Sequence, residues 1–71
     1  MKEVIIGGIY KHFKGKMYKV LNVATHSETE ETMVVYMKLY DDYTVWVRPL
    51  ELFIGQKQVD GQRVDRFEHV K

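Results

Sequence analysis

The stretch from Tyr36 to Phe53, YMKLYDDYTVWVRPLELF, constrains the fold more than any other part of this chain. Two alternating runs flank an acidic turn, the pattern of a β-hairpin whose successive side chains point to opposite faces. Residues paired across an antiparallel hairpin have numbers of constant sum and share a face. An even sum, such as Tyr40 opposite Thr44, gathers Val35, Met37 and Leu39 with Val45 and Val47 and sends Tyr36, Lys38, Tyr40, Trp46 and Arg48 to the other side. An odd sum places Trp46 and Arg48 with Met37 and Leu39 instead. The even register gives the cleaner apolar face, which is expected to be the core. It requires Asp42 or Tyr43 to adopt a left-handed conformation.

Strand signals dominate the remainder. Gly8 to Phe13 reads as a first strand with Tyr10 and His12 on one side, and Lys14-Gly15-Lys16 as a tight turn in which glycine supplies a positive φ. Met17 to Thr25 is a second strand whose apolar residues compete for the inward face, which predicts a bend or bulge partway. His26 to Thr32, HSETEET, is a polar connection, because no helix-period apolar run follows its Ser27/Glu30 capping pattern. Met33 to Tyr40 is the third strand, with Met33, Val35, Met37 and Leu39 expected to be buried. Pro49 ends the fourth and opens a short 3₁₀ turn that brings Leu50 and Phe53 to the core. Gly55 to Gly61 reads as a polar loop and Arg66 to Val70 as a closing strand. The expected fold is therefore mainly β: a small SH3-like barrel or roll of about five antiparallel strands, closed so that no edge is left unpaired.

Seventy-one residues, 45% of them hydrophobic, suit a single small domain over residues 1–71. With no cysteine and with His12, His26 and His69 far apart, no disulfide, metal site or cofactor is expected. The apolar run Val4 to Ile6 before Gly7-Gly8 is too short for a signal sequence or a membrane span, so a soluble, cytoplasmic protein is expected. The net charge of +1 gives no overall attraction to polyanions, but its distribution is uneven. Residues 1–20 carry Lys2, Lys11, Lys14, Lys16 and Lys19 against Glu3, whereas residues 21–45 set Lys38 against Glu28, Glu30, Glu31, Asp41 and Asp42.

Several segments in order, GIYKHFKGKMYKVLNVATHSETEE, VVYMKLY, WVRPLELF and RFEHV, resemble the bacterial family catalogued as domain of unknown function 1653. The resemblance covers Gly8 to Val70. It implies a small SH3-like roll, with His26-Ser27-Glu28-Thr29 and Trp46-Val47-Arg48-Pro49 as family hallmarks, and it leaves the activity open.

His26, Ser27 and Glu28 are the residue types of acyl-transfer chemistry, which would make the chain a small hydrolase-type enzyme. Adjacency opposes that reading: neighbours on an extended segment project to opposite sides, so base and nucleophile do not meet, and no glycine-flanked nucleophile turn is present. A tight connection, with Ser27 and Thr29 satisfying backbone groups, explains the segment better. The glycines lack phosphate-loop spacing. What remains is the aromatic and basic face. Tyr36, Lys38, Tyr40, Trp46 and Arg48, with His26 and Glu28 at the rim if the barrel brings that loop alongside, suit a binding module for a protein segment or an acidic small molecule. The alternative adds the Lys11 to Lys19 stripe to this platform and makes it a nucleic-acid interface. No membrane partner is expected, and the chain is expected to be a monomer or a weak dimer.

Overall fold

The structure is a computed structural model that describes residues 4–71. Lys2 and Glu3, counted in the charge pattern above, lie outside the described residues. Strands β1 (Ile9–His12), β2 (Met17–Thr25), β3 (Thr32–Lys38) and β4 (Val45–Pro49) are followed by a single helical turn, α1 (Leu50–Phe53). A hairpin of β5 (Gln56–Val59) and β6 (Gln62–Asp65) and a short β7 (Phe67–His69) complete the chain. The main sheet is antiparallel with strand order β4-β3-β2-β1-β7, and β5 and β6 form a separate two-stranded sheet. The fold is mainly β, as expected. Among the described residues no helix is long and apolar enough to cross a membrane.

Four local expectations are revised. The segment expected to be a polar loop, residues 55–61, contains β5 and the Asp60-Gly61 turn into β6, with Asp60 at φ 49° and Gly61 at φ 81°. The turn after Pro49 is α-helical rather than 3₁₀, because the Ile54 N–H donates to the Leu50 carbonyl four residues back, at 3.0 Å. The main sheet rolls without a ladder between its end strands, so β4 and β7 are its edges among the described residues. Side chains bridge them instead: the Arg48 guanidinium on β4 lies 5.6 Å from the ring centre of Phe67 on β7.

The fourth revision concerns which face is inside. The β3–β4 register has the expected even parity, with Tyr36 opposite Trp46 and Val35 opposite Val47. The core, however, lies on the even-numbered side. Tyr10, Val20, Val34, Tyr36, Phe53 and Phe67 are buried, whereas Val45 and Val47 are 55% and 60% exposed and Met33, Val35, Met37 and Leu39 are only half-buried. The reason is volume. A roll this small has room at its centre for a few large rings, and Phe53 stacks on Phe67 with centroids 4.2 Å apart while Tyr10, Tyr36 and Tyr18 pack around this pair. The aliphatic odd-numbered residues form the outer surface of the rolled sheet.

The predicted irregularity in β2 is a bulge at Leu21. Before it Val20 pairs with Tyr36; after it Asn22 pairs with Val35 and Val23 with Val34. Unbroken pairing would set Asn22 opposite buried Val34. The extra residue turns Val23 to that position, and the Asn22 side chain accepts a hydrogen bond from the Val23 N–H at 2.8 Å outside the core.

Candidate functional site

The β3–β4 hairpin carries Tyr36, Lys38, Trp46 and Arg48 on the concave face of the sheet, and the turn after β3 brings in Tyr40. With Tyr18 of β2 they line an open recess of about 270 Å³. Its position follows from register. Tyr18 pairs with Lys38 and Tyr36 with Trp46, so residues of three adjacent strands point to one side. The turn that closes the hairpin holds both Asp41 and Tyr43 at positive φ, 53° and 54°, so Tyr43 takes the left-handed conformation anticipated for it, and Asp41 rather than Asp42 takes the other.

Tyrosine hydroxyls form the floor. Tyr18 and Tyr40 share a hydrogen bond of 2.6 Å, and the Tyr36 hydroxyl faces the Arg48 Nε at 3.5 Å. Tyr36 itself is a core residue whose ring is buried and whose polar end reaches the recess. Trp46 is 53% exposed at the rim, its ring held by a 2.8 Å hydrogen bond from Nε1 to the Thr44 Oγ1. Burial first, then the hydrogen bond to Tyr40 and the neighbouring phenols, push the Tyr18 hydroxyl up to about 12, so it stays a neutral donor at any physiological pH.

Cations surround these rings. The Lys16 and Lys38 ammonium groups each lie 4.8 Å from the centre of the Tyr40 ring. Lys38 also pairs with Asp42 at 3.2 Å, and that hydrogen bond is the main influence holding the Asp42 carboxyl below its usual range. Among the described residues no carboxylate comes within ion-pair distance of Arg48. Its charge reaches further inward: His12 is held below the ordinary histidine value by burial first and then by Arg48, Lys14 and Arg66. The recess thus offers planar apolar area, neutral hydroxyl donors and cations with little negative charge opposite them.

The other two anticipated residues lie elsewhere. His26 and Glu28 are in the turn between β2 and β3, beyond the Thr25–Thr32 pair, whereas the recess begins at the Tyr18–Lys38 pair at the other end of the same hairpin. The rolled sheet does not bring that turn to the rim. His26 has a structural task there: its Nδ1 accepts from the Glu28 and Thr29 amides at 3.1 and 3.2 Å, and its own amide donates to the Glu31 carbonyl. Thr29 contributes as expected, its Oγ1 accepting from the Glu31 amide at 3.3 Å. The imidazole nitrogen that a triad would use for orientation is engaged in closing a turn.

The lysine stripe also divides. Lys11 and Lys19 alternate with buried Tyr10 and Val20 and so belong to the outer face, while Lys16 reaches the recess. Tyr18 is the recess residue that the sequence pattern did not single out, and Lys16 is the member of the anticipated lysine stripe that reaches the recess rings. A signal for Tyr18 existed in its parity with Val20, but the bulge at Leu21 left the inward face of β2 undecided.

These features define a class: a small mainly-β domain with an aromatic, cation-rimmed recess on the concave side of a five-stranded antiparallel sheet. Residues 8–69 match the family described as protein of unknown function (DUF1653). The chain belongs to that family. It is similar to a crystal structure of a DUF1653 protein from Bordetella bronchiseptica, with 31% sequence identity, a TM-score of 0.83, and coverage of 93% of this chain and 87% of that one. A comparison with curated proteins gives no match.

Proposed function

We propose that this domain is a non-enzymatic binding module that takes an acidic group, carried by a protein segment or a small molecule, into the recess formed by Tyr18, Tyr36, Lys38, Tyr40, Trp46 and Arg48. The supporting observation is the convergence of three cations on the recess, the Lys16 and Lys38 ammonium groups over the Tyr40 ring and the Arg48 Nε facing the Tyr36 hydroxyl, with Asp42 the carboxylate that pairs with Lys38. Arg48 presents a planar fork suited to two oxygens of a carboxylate or phosphate, and Tyr40 and Trp46 supply rigid apolar area beside it. A ring or chain bearing such a group fits these two demands together. The nucleic-acid alternative has less support, because Lys11 and Lys19 lie on the opposite face of the sheet from the stacking rings.

Phenyl phosphate and benzoate are suitable probes, with benzyl alcohol as the neutral control, and binding is followed by Trp46 fluorescence and by amide chemical shifts. The charged probes should perturb Trp46, Tyr40 and Lys38 in a saturable manner, more strongly than the neutral one. Arg48→Ala should weaken that response at least about tenfold, the equivalent of one charge-assisted hydrogen bond. Equal perturbation by the neutral probe, or shifts spread evenly over Lys11, Lys19 and Lys57, would overturn the reading.

A further inference from the structure

The main-chain phase of β4 can be worked out from its neighbours. The Lys38 N–H donates to the Thr44 carbonyl at 3.0 Å, and the Leu39 N–H donates the other way, to Met17, at 3.0 Å. Even-numbered residues of β3 therefore bond toward β4 and odd-numbered ones toward β2. In an antiparallel ladder this makes Thr44, Trp46 and Arg48 the β4 residues whose amides face inward. The amides of Val45 and Val47 face outward, along an edge that no other described strand pairs with. Pro49 falls in the same outward phase, at a position where its missing N–H leaves no internal bond unmade.

This edge is poorly defended. Edge strands are usually blunted by lysines, by proline, by inward charges or by a bulge, and in β4 Arg48 and Pro49 protect only the C-terminal end, leaving Val45 to Val47 open. Here Val45, Trp46 and Val47 are consecutive and 55%, 53% and 60% exposed. On the outer face Val45 and Val47 lie beside Met37 and Val35, so an apolar band runs up to the edge and stops.

We propose that β4 pairs antiparallel with β4 of a second copy of this chain, about a two-fold axis that sets Trp46 opposite Trp46 and Val45 opposite Val47 of the second copy. The register is self-complementary in three respects. It pairs the outward N–H and C=O groups of both valines. It joins the two apolar bands across the axis. It places Arg48 opposite Thr44 of the second copy, and Thr44 Oγ1 donates to the Asp42 carboxylate at 3.2 Å. Arg48 thus approaches on the second copy the Asp42 carboxylate, whereas no carboxylate among the described residues of its own chain lies at ion-pair distance from it. The contact is short, which sets it among weak, reversible associations. It leaves the two recesses side by side on one concave surface, with the Trp46 pair between them, and it does not depend on what the recess binds.

Sedimentation equilibrium of the whole chain, from about 10 μM to about 1 mM, tests the proposal by mass action. A reversible monomer–dimer equilibrium is expected. Val47→Lys sets like charges near the axis and should raise the dissociation constant at least about tenfold. Val70→Lys, at a 40% exposed position beside the opposite edge strand, should leave it unchanged. Both sites are exposed, so circular dichroism should show each variant folded. The natural chain has no cysteine, so Trp46→Cys supplies a unique thiol, and two of them in a directly opposed, non-hydrogen-bonded pair stand at disulfide distance. This variant should cross-link under mild oxidation far faster than Val70→Cys. A monomer at every concentration, a dimer unaffected by Val47→Lys, or equal cross-linking at the two cysteine positions would overturn the proposal. Val47→Lys keeps Trp46 and Arg48, so probe binding in the recess is read separately from association.

Discussion

Replacing Phe67 with alanine tests how this roll is held together. Phe67 is 6% exposed on a strand of three residues, stacked on Phe53 with ring planes only 6° apart. Tyr18, Tyr36 and His12 meet it edge-on or tilted, and Arg48 covers it from the facing edge. A buried aromatic ring removes about 150–250 Å² from water, worth about 4–6 kcal/mol by area, and measured Phe→Ala losses run at about 3–5 kcal/mol. At roughly 0.05–0.15 kcal/mol per residue, a domain of this size has a stability of about 4–10 kcal/mol. Phe67→Ala should therefore remove close to half of the stability or more, lowering the melting midpoint by about 15–30 °C. Trp46 is half exposed, so Trp46→Ala should cost about 2 kcal/mol by the same area rule, and Val47→Ala under about 1 kcal/mol. Urea and thermal denaturation followed by circular dichroism measure all three. Val47→Ala as costly as Phe67→Ala would refute the reasoning, since it would put the odd-numbered face of the hairpin in the core.

Other outcomes follow from single side chains. His26→Ala should cost about 1 kcal/mol, as for loss of a side-chain cap, and speed hydrogen exchange at the Glu28 and Thr29 amides, while probe binding in the recess stays the same. His12 is held below the ordinary 6.5. The unfolded chain therefore takes up this proton first, and stability should fall as pH drops from about 6.5 through the folded value; urea midpoints across that range should show a smaller slope in His12→Gln. Tyr18 carries the opposite sign: with its hydroxyl raised to about 12, the unfolded chain ionises first, so stability should decline between pH 10 and 12, and less so in Tyr18→Phe.

The hairpin, the parity of its register, the extent of β2 and the irregularity within it were all legible from alternation and turn residues. Which side of the hairpin faces inward was not. β3 carries apolar side chains on both faces, Met33, Val35 and Met37 on one and Val34 and Tyr36 on the other, and counting aliphatic residues favours the first set. The deciding quantity is the space inside a small roll, which suits the rings of Tyr36, Phe53 and Phe67 and needs the position of β7 to be known. Val34, sharing a face with Tyr36, was the available sign. The β5–β6 hairpin was hidden because its residues, QKQV and QRVD, carry little apolar alternation and are mostly exposed. The recess residues Tyr36, Lys38, Tyr40, Trp46 and Arg48 were grouped correctly because grouping needs only parity, whereas His26 and Glu28 depended on a long-range arrangement of the roll.

The bulge at Leu21 divides one hairpin into two regions that answer to different requirements. On the near side, spacing is set by Tyr18 and Val20 against Lys38 and Tyr36, and a slip of one residue there would turn Tyr18 away from the recess side chains of β3 and β4. On the far side, the extra residue has already absorbed a change of phase, and the strands lead only to the turn closed by His26. The distal turn is consequently the natural place to graft a tag, an epitope or a fluorophore. An insertion there lengthens the molecule at its tip and leaves the geometry around Trp46 and Arg48 as it was.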